Sequence, residues 1–275
     1  MVEYDADSHD LRTVSLHVFE DEAMRSGYYH NHSAPFVRVD PENRCAAMLV
    51  YGRKIVVLPF RRDAAAAAAA SASEVTVDEG SKDSKSNSGS SILSSYTLDL
   101  DAVIPDRSVE NVIDVQFLHG YHQPTMLILY EPLQTFAGRI AVRKDTCRLD
   151  VITLDVKERI SAFIWSKESL PFDCLRCLPV PKPIGGTLVL AANSLFYLNQ
   201  GIPPYGVTLN SIGDNTVEGA NVQKNLDAAV KLSLDCAQAE FLTPERAVIS
   251  LKGGELYVLS LLVDGMRYVQ GDTSG

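Results

Sequence analysis

The feature that most constrains the fold is a succession of short apolar runs joined by tight polar turns. Hairpin-like segments of this kind span residues 45–60, 186–200 and 246–262. Their turns contain Gly52, Asn193 and Gly253 respectively. Runs of about five to seven residues rich in Val, Ile, Leu, Tyr and Phe favour strands over helices. Because glycine supplies the positive φ that a tight hairpin needs, these turns strengthen the prediction of an all-β chain.

The hairpins belong to a longer repeat. A fourth pair of runs, residues 125–142, has a longer connection, and further strand candidates at residues 113–120, 160–166 and 236–242 precede three of the hairpins. Similar triplets begin at Thr97, Thr153 and Thr208, so the pattern recurs at nearly equal intervals. Four strands in a unit of about 40–50 residues are typical of a propeller blade, and the interval here is somewhat longer. We therefore predict about four blades of four antiparallel strands.

A β-sandwich is the rival architecture, because it also uses short strands and frequent turns. A sandwich requires no four-strand period, so the repeat favours the propeller. The chain has neither a Gly-His nor a Trp-Asp dipeptide, and the predicted propeller therefore lacks the WD40 signature. We expect residues 1–275 to form part of a single, incomplete propeller domain.

An insertion interrupts the first unit at about residues 64–91. Seven alanines are followed by a tract rich in Ser, Lys, Asp and Gly. Such a composition buries too little apolar surface to order itself, and seven residues are too few for a persistent isolated helix. We predict a disordered segment between the third and fourth strands of the first blade. A shorter polar loop is predicted at residues 213–223.

Composition narrows the range of partners. The chain has 25 Lys and Arg against 35 Asp and Glu, a formal net charge of −10. An acidic surface repels nucleic-acid phosphate, which disfavours this segment as the main RNA- or DNA-binding surface. No apolar run approaches the roughly 18 residues of a membrane span, and no secretory signal is visible. Five dispersed cysteines then indicate reduced thiols in the cytosol or nucleus.

Candidate metal ligands and catalytic groups are sparse. Cys174 and Cys177 form a CxxC pair, but a structural zinc site needs four ligands and no second close pair is present. Two histidine pairs lie in predicted loops, His30 with His32 and His119 with His122. No GxSxG or HExxH motif occurs, and no carboxylate pair stands out as acid and base. We predict no metal, no cofactor and no enzymatic activity.

The strongest candidate for a partner contact is a proline-stiffened segment between two turn glycines. It comprises Ile202, Pro203, Pro204 and Tyr205. Aromatic and apolar side chains on a rigid loop make good interface anchors, although such a loop can also fold back onto its own blade. The single tryptophan, Trp165, is interpreted as blade packing, and the basic pairs at residues 53–54 and 61–62 as solvated turn and strand ends.

The strand order also predicts two faces. The first and third connections of a blade lie on one side, and the hairpin turns lie on the other. Residues 119–123, the insertion and residues 202–205 should therefore share a face. The turns at Gly52, Asn193 and Gly253 should lie on the opposite one.

Four long segments, residues 38–63, 112–132, 165–212 and 234–267, resemble the large subunit of cleavage and polyadenylation specificity factor. The third contains WSKESLPFDCLRCLPVPKPIGGTLVLAANSLFYLNQ. The resemblance is collinear over most of the chain outside the two predicted polar insertions. It implies three propellers without WD signatures and a helical C-terminal domain, an architecture shared with the large subunit of the damaged-DNA-binding complex. This chain would cover part of the first propeller and end before its ring closes.

The same resemblance implies a function. The large subunit is a nuclear scaffold for pre-mRNA 3′-end processing, and it holds a WD-repeat subunit and a zinc-finger subunit that read the AAUAAA signal. Endonuclease activity belongs to another subunit, and pre-mRNA is contacted mainly indirectly. Two alternatives stay open: a substrate-adaptor propeller of the damaged-DNA-binding type that serves a ubiquitin ligase, and direct RNA binding by this propeller. No residue role is implied by the resemblance.

Overall fold

The computed structural model describes residues 2–13, 16–25, 36–60, 94–104, 108–132, 137–213, 217–224, 231–264 and 268–274. The predicted insertion at residues 64–91, the pair His30 and His32, and residues 61–62 lie outside this part of the chain. The regular secondary structure of the described residues is almost entirely β-strand. Their helices are single turns: α1 (Glu22–Arg25), α2 (Leu100–Val103) and α3 (Ala137–Ile140). None of these helices is long and apolar enough to cross a membrane.

Four sheets follow one another along the chain as blades of a β-propeller, after a separate hairpin of β1 (Val2–Asp5) and β2 (Asp10–Thr13). Blade 1 contains β3 (Phe36–Val39), β4 (Cys45–Val50), β5 (Lys54–Pro59) and β6 (Tyr96–Asp99). Blade 2 contains β7 (Asn111–Phe117), β8 (Thr125–Glu131), β9 (Cys147–Asp155) and β10 (Ile160–Leu170). Blade 3 contains β11 (Cys174–Pro179), β12 (Thr187–Ala191), β13 (Ser194–Asn199), β14 (Ile202–Thr208) and β15 (Asn221–Lys224). Blade 4 contains β16 (Gln238–Thr243), β17 (Arg246–Ser250), β18 (Leu256–Asp264) and β19 (Tyr268–Ser274).

The core lies between successive blades. Side chains alternate along a strand, so each middle strand contributes to two interfaces. Strand β8 is buried over its whole length. Its Met126, Ile128 and Tyr130 pack in the cluster shared with blade 1, whereas Leu127 and Leu129 pack in the cluster shared with blade 3. A third cluster joins blades 3 and 4. The predicted all-β propeller of about four blades is confirmed.

The three predicted hairpin turns are confirmed. The turn at Gly52 joins β4 to β5, Ala192 and Asn193 join β12 to β13, and the turn at Gly253 joins β17 to β18. Gly52 has φ of 71°, a value in the left-handed region that a residue without Cβ adopts at little cost.

The predicted strand order of the second and third units is wrong. The apolar run near Ile140 forms α3, and the strand that returns to β8 is β9 instead. The run at residues 160–166 therefore becomes β10, the outer strand of blade 2, and is not the first strand of blade 3. That inner position belongs to β11, which carries the CxxC pair.

The predicted period is wrong for the same reason. The triplet at Thr97 lies on a fourth strand, the one at Thr153 on a third strand, and the one at Thr208 at the end of a fourth strand. The inner strands of blades 2, 3 and 4 begin at Asn111, Cys174 and Gln238. These starts are also nearly equally spaced, but they lie farther apart than the triplets do.

The predicted polar loop at residues 213–223 is also partly wrong. It ends in β15, which pairs parallel with β14, from Tyr205 opposite Asn221 to Thr208 opposite Lys224. Blade 3 therefore has a fifth strand, and the prediction of four antiparallel strands does not hold for this blade.

Candidate partner-binding surface

One side of the propeller carries charged loops that join successive blades. Arg44, in the connection from β3 to β4, binds the buried carboxylate of Asp40 through Nε and NH2 at 2.7 and 2.8 Å. Its NH1 donates to the backbone oxygens of Tyr121 and His122 in blade 2, at 3.2 and 2.6 Å. A two-pronged Arg–carboxylate pair has fixed geometry, so it orients the cation toward the neighbouring blade. We call the connections at residues 40–44, 118–124 and 180–186 the loop rim.

A second ion pair extends the loop rim to blade 3. Lys182 Nζ lies 2.9 Å from Glu42 Oε1, and Arg44 NH1 lies 3.4 Å from Glu42 Oε2. The hydrogen bond from Lys182 and the charge of Arg44 lower the pKa of Glu42 below its ordinary value. Burial, followed by the charge of Lys182, lowers the pKa of His119. The inner loops of three blades are thus joined by charged contacts.

The predicted contact segment is strand and not loop. Gly201, at φ of 72°, closes the turn from β13, and Ile202 opens β14. Two consecutive prolines are tolerated here because neither is paired with a neighbouring strand. The register with β13 passes from Tyr205 to Ile202 through an irregularity, and β15 pairs only from Tyr205 onward. The alternation of β14 then divides the predicted contacts. Ile202 and Pro204 face blade 2, whereas Tyr205 packs into the core between blades 3 and 4 and Pro203 is exposed.

A groove lies where Ile202 and Pro204 face blade 2. It has a volume of about 210 Å³, and Trp165 and Lys167 of β10 form its other wall. Asn199 and Gln200, at the end of β13 and in the turn that follows, complete it. We call this cavity the β10 groove. The sequence had suggested Trp165 as packing alone, and Trp165 does pack against the core between blades 2 and 3.

The β10 groove and the loop rim belong to one surface. Trp165 Nε1 donates to the Tyr121 hydroxyl at 3.4 Å, and Tyr121 is the residue whose carbonyl accepts from Arg44. Tyr197 of β13 donates to the carbonyl of Gly185 at 2.9 Å and accepts from Asn199, which lines the groove, so these contacts join the end of β13 to the loop rim. These contacts confirm the predicted shared face for residues 119–123 and the start of the 202–205 segment.

Sequence reasoning missed the charged members of this surface. Lys182 meets Glu42 only through the arrangement of blades, because the two residues are far apart in the chain. Lys167 was missed because β10 had been placed in an inner position. A correct assignment of β9 would have revealed that Trp165 and Lys167 lie on an outer strand.

The CxxC pair lies in the core. Cys174 and Cys177 are buried on β11 close to Cys147. A hydrogen bond with Cys147 and then burial raise the pKa of Cys174, and burial followed by the charge of Asp114 raises that of Cys177. Within the described ranges, no group of three or more His, Cys, Asp or Glu side chains has the arrangement of a metal site.

The basic pair on the first hairpin is neutralised by neighbouring carboxylates. Arg53 NH1 lies 3.2 Å from Asp101, and Lys54 Nζ lies 3.4 Å from Asp99. Both cations thus contact acidic side chains of β6 and α2. This pairing agrees with the interpretation as a solvated turn and strand end.

Comparison with known proteins identifies the family of this chain. The family model described as RSE1/DDB1/CPSF1 first beta-propeller matches residues 1–269. The chain belongs to this propeller family. It is 47% identical over 270 residues to cleavage and polyadenylation specificity factor subunit 1 of Drosophila melanogaster, a match that covers 98% of this chain and 18% of that protein.

Members from plants and fungi are also similar. The protein of the same name from Arabidopsis thaliana is 32% identical over 278 residues, with 100% of this chain and 18% of that protein covered. Protein cft1 of Schizosaccharomyces pombe is 30% identical over 271 residues, with 96% of this chain and 18% of that protein covered. The first-propeller chain thus spans about a fifth of the length of these relatives.

Proposed function

We propose that this chain is a protein-binding propeller of a nuclear pre-mRNA 3′-end cleavage and polyadenylation complex. The observation that carries this proposal is the 47% identity, over 98% of the chain, to a protein named cleavage and polyadenylation specificity factor subunit 1. The role is that of a non-catalytic scaffold. It holds the WD-repeat and zinc-finger subunits that recognise AAUAAA, and it has no cofactor.

The chemistry of the described residues supports binding over catalysis. The buried carboxylate of Asp114 accepts hydrogen bonds from blades 1 and 3, and that of Asp40 orients Arg44, which donates to blade 2. The thiols of Cys174 and Cys177 have raised pKa values and are therefore poor nucleophiles.

Contact with pre-mRNA is mainly indirect in this proposal. The net charge of −10 disfavours binding of a polyanion. Arg38, Arg44 and Arg53 are each engaged by a carboxylate. Salt-dependent RNA binding by the purified full-length protein without its partners would favour direct RNA recognition instead.

The residues proposed to contact a partner are those of the 202–205 segment. Ile202 and Pro204 line the β10 groove and Pro203 is exposed, so these three are available to a partner. Tyr205 contributes by holding β14 against blade 4, because its ring packs into that core.

The test is affinity purification of the tagged full-length protein from nuclear extract. Polyadenylation factors should be recovered, whereas recovery of a cullin in their place would support the ubiquitin-ligase adaptor of the damaged-DNA-binding type. Ile202→Asp should reduce recovery of at least one polyadenylation factor. Ile212→Asp is the matched control, because Ile212 is exposed beyond the far end of β14. Equal recovery with both variants would contradict a contact at Ile202.

A further inference from the structure

Strand β10 forms the outer edge of blade 2 in the part of the chain that the structure describes. Strand β10 pairs with β9, and no other described strand lies against it. An edge strand presents unpaired N–H and C=O groups that can pair with an added strand. Two large side chains of β10 remain exposed, Ile160 to 62% and Phe163 to 47%.

Blade 3 shows that the outer edge of a blade in this chain accepts an added strand. Its β15 lies parallel to β14, and the added strand continues from Asn221 to Lys224. Strand β10 occupies the same outer position in blade 2 and has no such neighbour among the described strands.

The side chains of β10 indicate which side chains a segment paired with its outer edge would have. Trp165 and Lys167 are two positions apart, and both contact elements of blade 3. Lys167 Nζ donates to the backbone oxygen of Glu218 at 2.7 Å, and no described carboxylate lies within ion-pair distance of it. An ammonium has three donors, so a further anionic acceptor can be accommodated.

The β10 groove provides space for an apolar side chain next to this cation. Its volume of about 210 Å³ is several times the roughly 30 Å³ that a water occupies in the liquid. Trp165, Ile202 and Pro204 supply apolar walls. A side chain that projects from a strand beside β10, opposite Trp165, would be directed into this space.

We propose that an extended segment of a partner protein pairs with the outer edge of β10. An apolar side chain of the segment fills the β10 groove opposite Trp165, and a carboxylate two positions away lies beside Lys167. This spacing follows from strand geometry, because alternate residues share a face and cross-strand neighbours lie directly opposite. The inference rests on the proposed function only in taking the occupant from a partner protein.

The first experiment tests the backbone pairing. The probe is a fluorescein-labelled octapeptide of alternating Val and Thr, with one Leu and an Asp two positions from it. Its binding to the purified full-length protein is measured by fluorescence anisotropy. Methylating single backbone nitrogens should weaken binding about tenfold or more at alternate positions and leave the intervening positions unaffected, because only one edge of the peptide pairs with β10. No binding, or uniform effects of methylation, would overturn the proposal.

The second experiment tests the charge. Lys167→Glu should weaken binding of the Asp peptide about tenfold, by removing one attraction and adding a repulsion. A peptide with Lys in place of Asp should bind Lys167→Glu better than the unaltered protein. Lys157→Glu is the matched control, because Lys157 is exposed in the turn before β10, away from the groove. Equal effects of the two protein variants would contradict a carboxylate beside Lys167.

The outcomes separate this inference from the proposed function. If the peptide fails to bind and polyadenylation factors still co-purify, the strand-addition site alone is wrong. If the peptide binds as expected and no polyadenylation factor is recovered, the proposed function alone is wrong. A second copy as occupant would appear as self-association weakened by Lys167→Glu in analytical ultracentrifugation, and it would overturn the choice of a partner protein.

Discussion

The backbone N–H of Cys177 donates to Oδ2 of Asp114 at 2.9 Å, across the interface between blades 2 and 3. Cys177 lies on β11, an edge strand of its sheet, and buried N–H groups require an acceptor. The other oxygen of Asp114 accepts from Arg38 NH2 of blade 1 at 3.1 Å. One carboxylate on β7 therefore joins the inner strands of three successive blades.

Asp114→Ala should destabilise the protein by about 3 kcal/mol, because it leaves a buried N–H without its acceptor and a guanidinium without its counter-charge. Asp114→Asn should cost less, since it retains one acceptor oxygen. Free energies of unfolding from urea denaturation would measure both. Asp235→Ala is the control, because that side chain is largely exposed. A loss below about 0.5 kcal/mol for Asp114→Ala would show that the carboxylate does not hold the blades together.

The hairpins were predictable because their signals are local. A turn such as that at Gly52 needs positive φ, and the flanking runs reveal their strands by composition. Local patterns also indicated the apolar residues of the blade interfaces. The apolar runs at residues 186–200 and 246–262 contain Leu188, Leu190 and Ile249, and these side chains lie together between blades 3 and 4.

The position of each strand within its blade was not predictable in the same way. An apolar run can lie at an inner or an outer position, and periodicity does not distinguish a short helix such as Ala137–Ile140 from a strand. One misplaced run then shifted Trp165 to an inner strand. The candidate surface depends on that placement, because Trp165, Lys167 and Ile202 meet only when β10 is an outer strand.

The ion pair of Glu42 with Lys182 should make the free energy of unfolding depend on pH in the acidic range. The pKa of Glu42 is lowered in the folded protein, so the pair stabilises the fold above the ordinary carboxyl value of 4.5. That contribution is lost as the pH falls through the lowered value. Glu42→Gln removes the titration, so the difference in unfolding free energy between the two proteins should be constant above pH 4.5 and shrink below it.

Urea denaturation at a series of pH values would test this dependence. High salt should also reduce the difference, because the pair is exposed to solvent and therefore screened. A difference that grows as the pH falls would contradict the assigned role of Lys182.

The cysteines should differ sharply in reactivity. Cys236 is exposed, whereas the other four are buried. Burial raises the pKa of Cys45 to about 12, and Cys174 and Cys177 are also shifted upward. Because the thiolate is the nucleophile, iodoacetamide at mildly alkaline pH should alkylate Cys236 in the native protein and the buried thiols of this chain only after unfolding. Peptide mass spectrometry of a time course would measure the rate of alkylation of each cysteine.

Alkylation of Cys177 as fast as that of Cys236 would show that the interface between blades 2 and 3 opens readily.

Two adjacent glycines in the loop rim should respond differently to the same substitution. Gly185 and Gly186 have φ values of 71° and 78°, so alanine is strained at both by about 1–2 kcal/mol. At Gly185 an added Cβ meets no atom within 4 Å, whereas at Gly186 it would lie 2.6 Å from the carbonyl oxygen of Leu198 and 2.9 Å from Cβ of Asn199. Gly186→Ala must therefore also displace the end of β13, which leads into the turn before Ile202.

We expect Gly186→Ala to lower the free energy of unfolding by about 1–3 kcal/mol more than Gly185→Ala, because overpacking adds to the backbone strain. Urea denaturation of the two variants gives this difference directly, and each serves as the control for the other. Gly186→Ala should also weaken binding of the octapeptide that probes the β10 groove, because Asn199 lines the groove. Equal destabilisation by the two variants would mean that the end of β13 moves aside without a measurable loss of unfolding free energy. The β10 groove would then lack a rigid wall on that side.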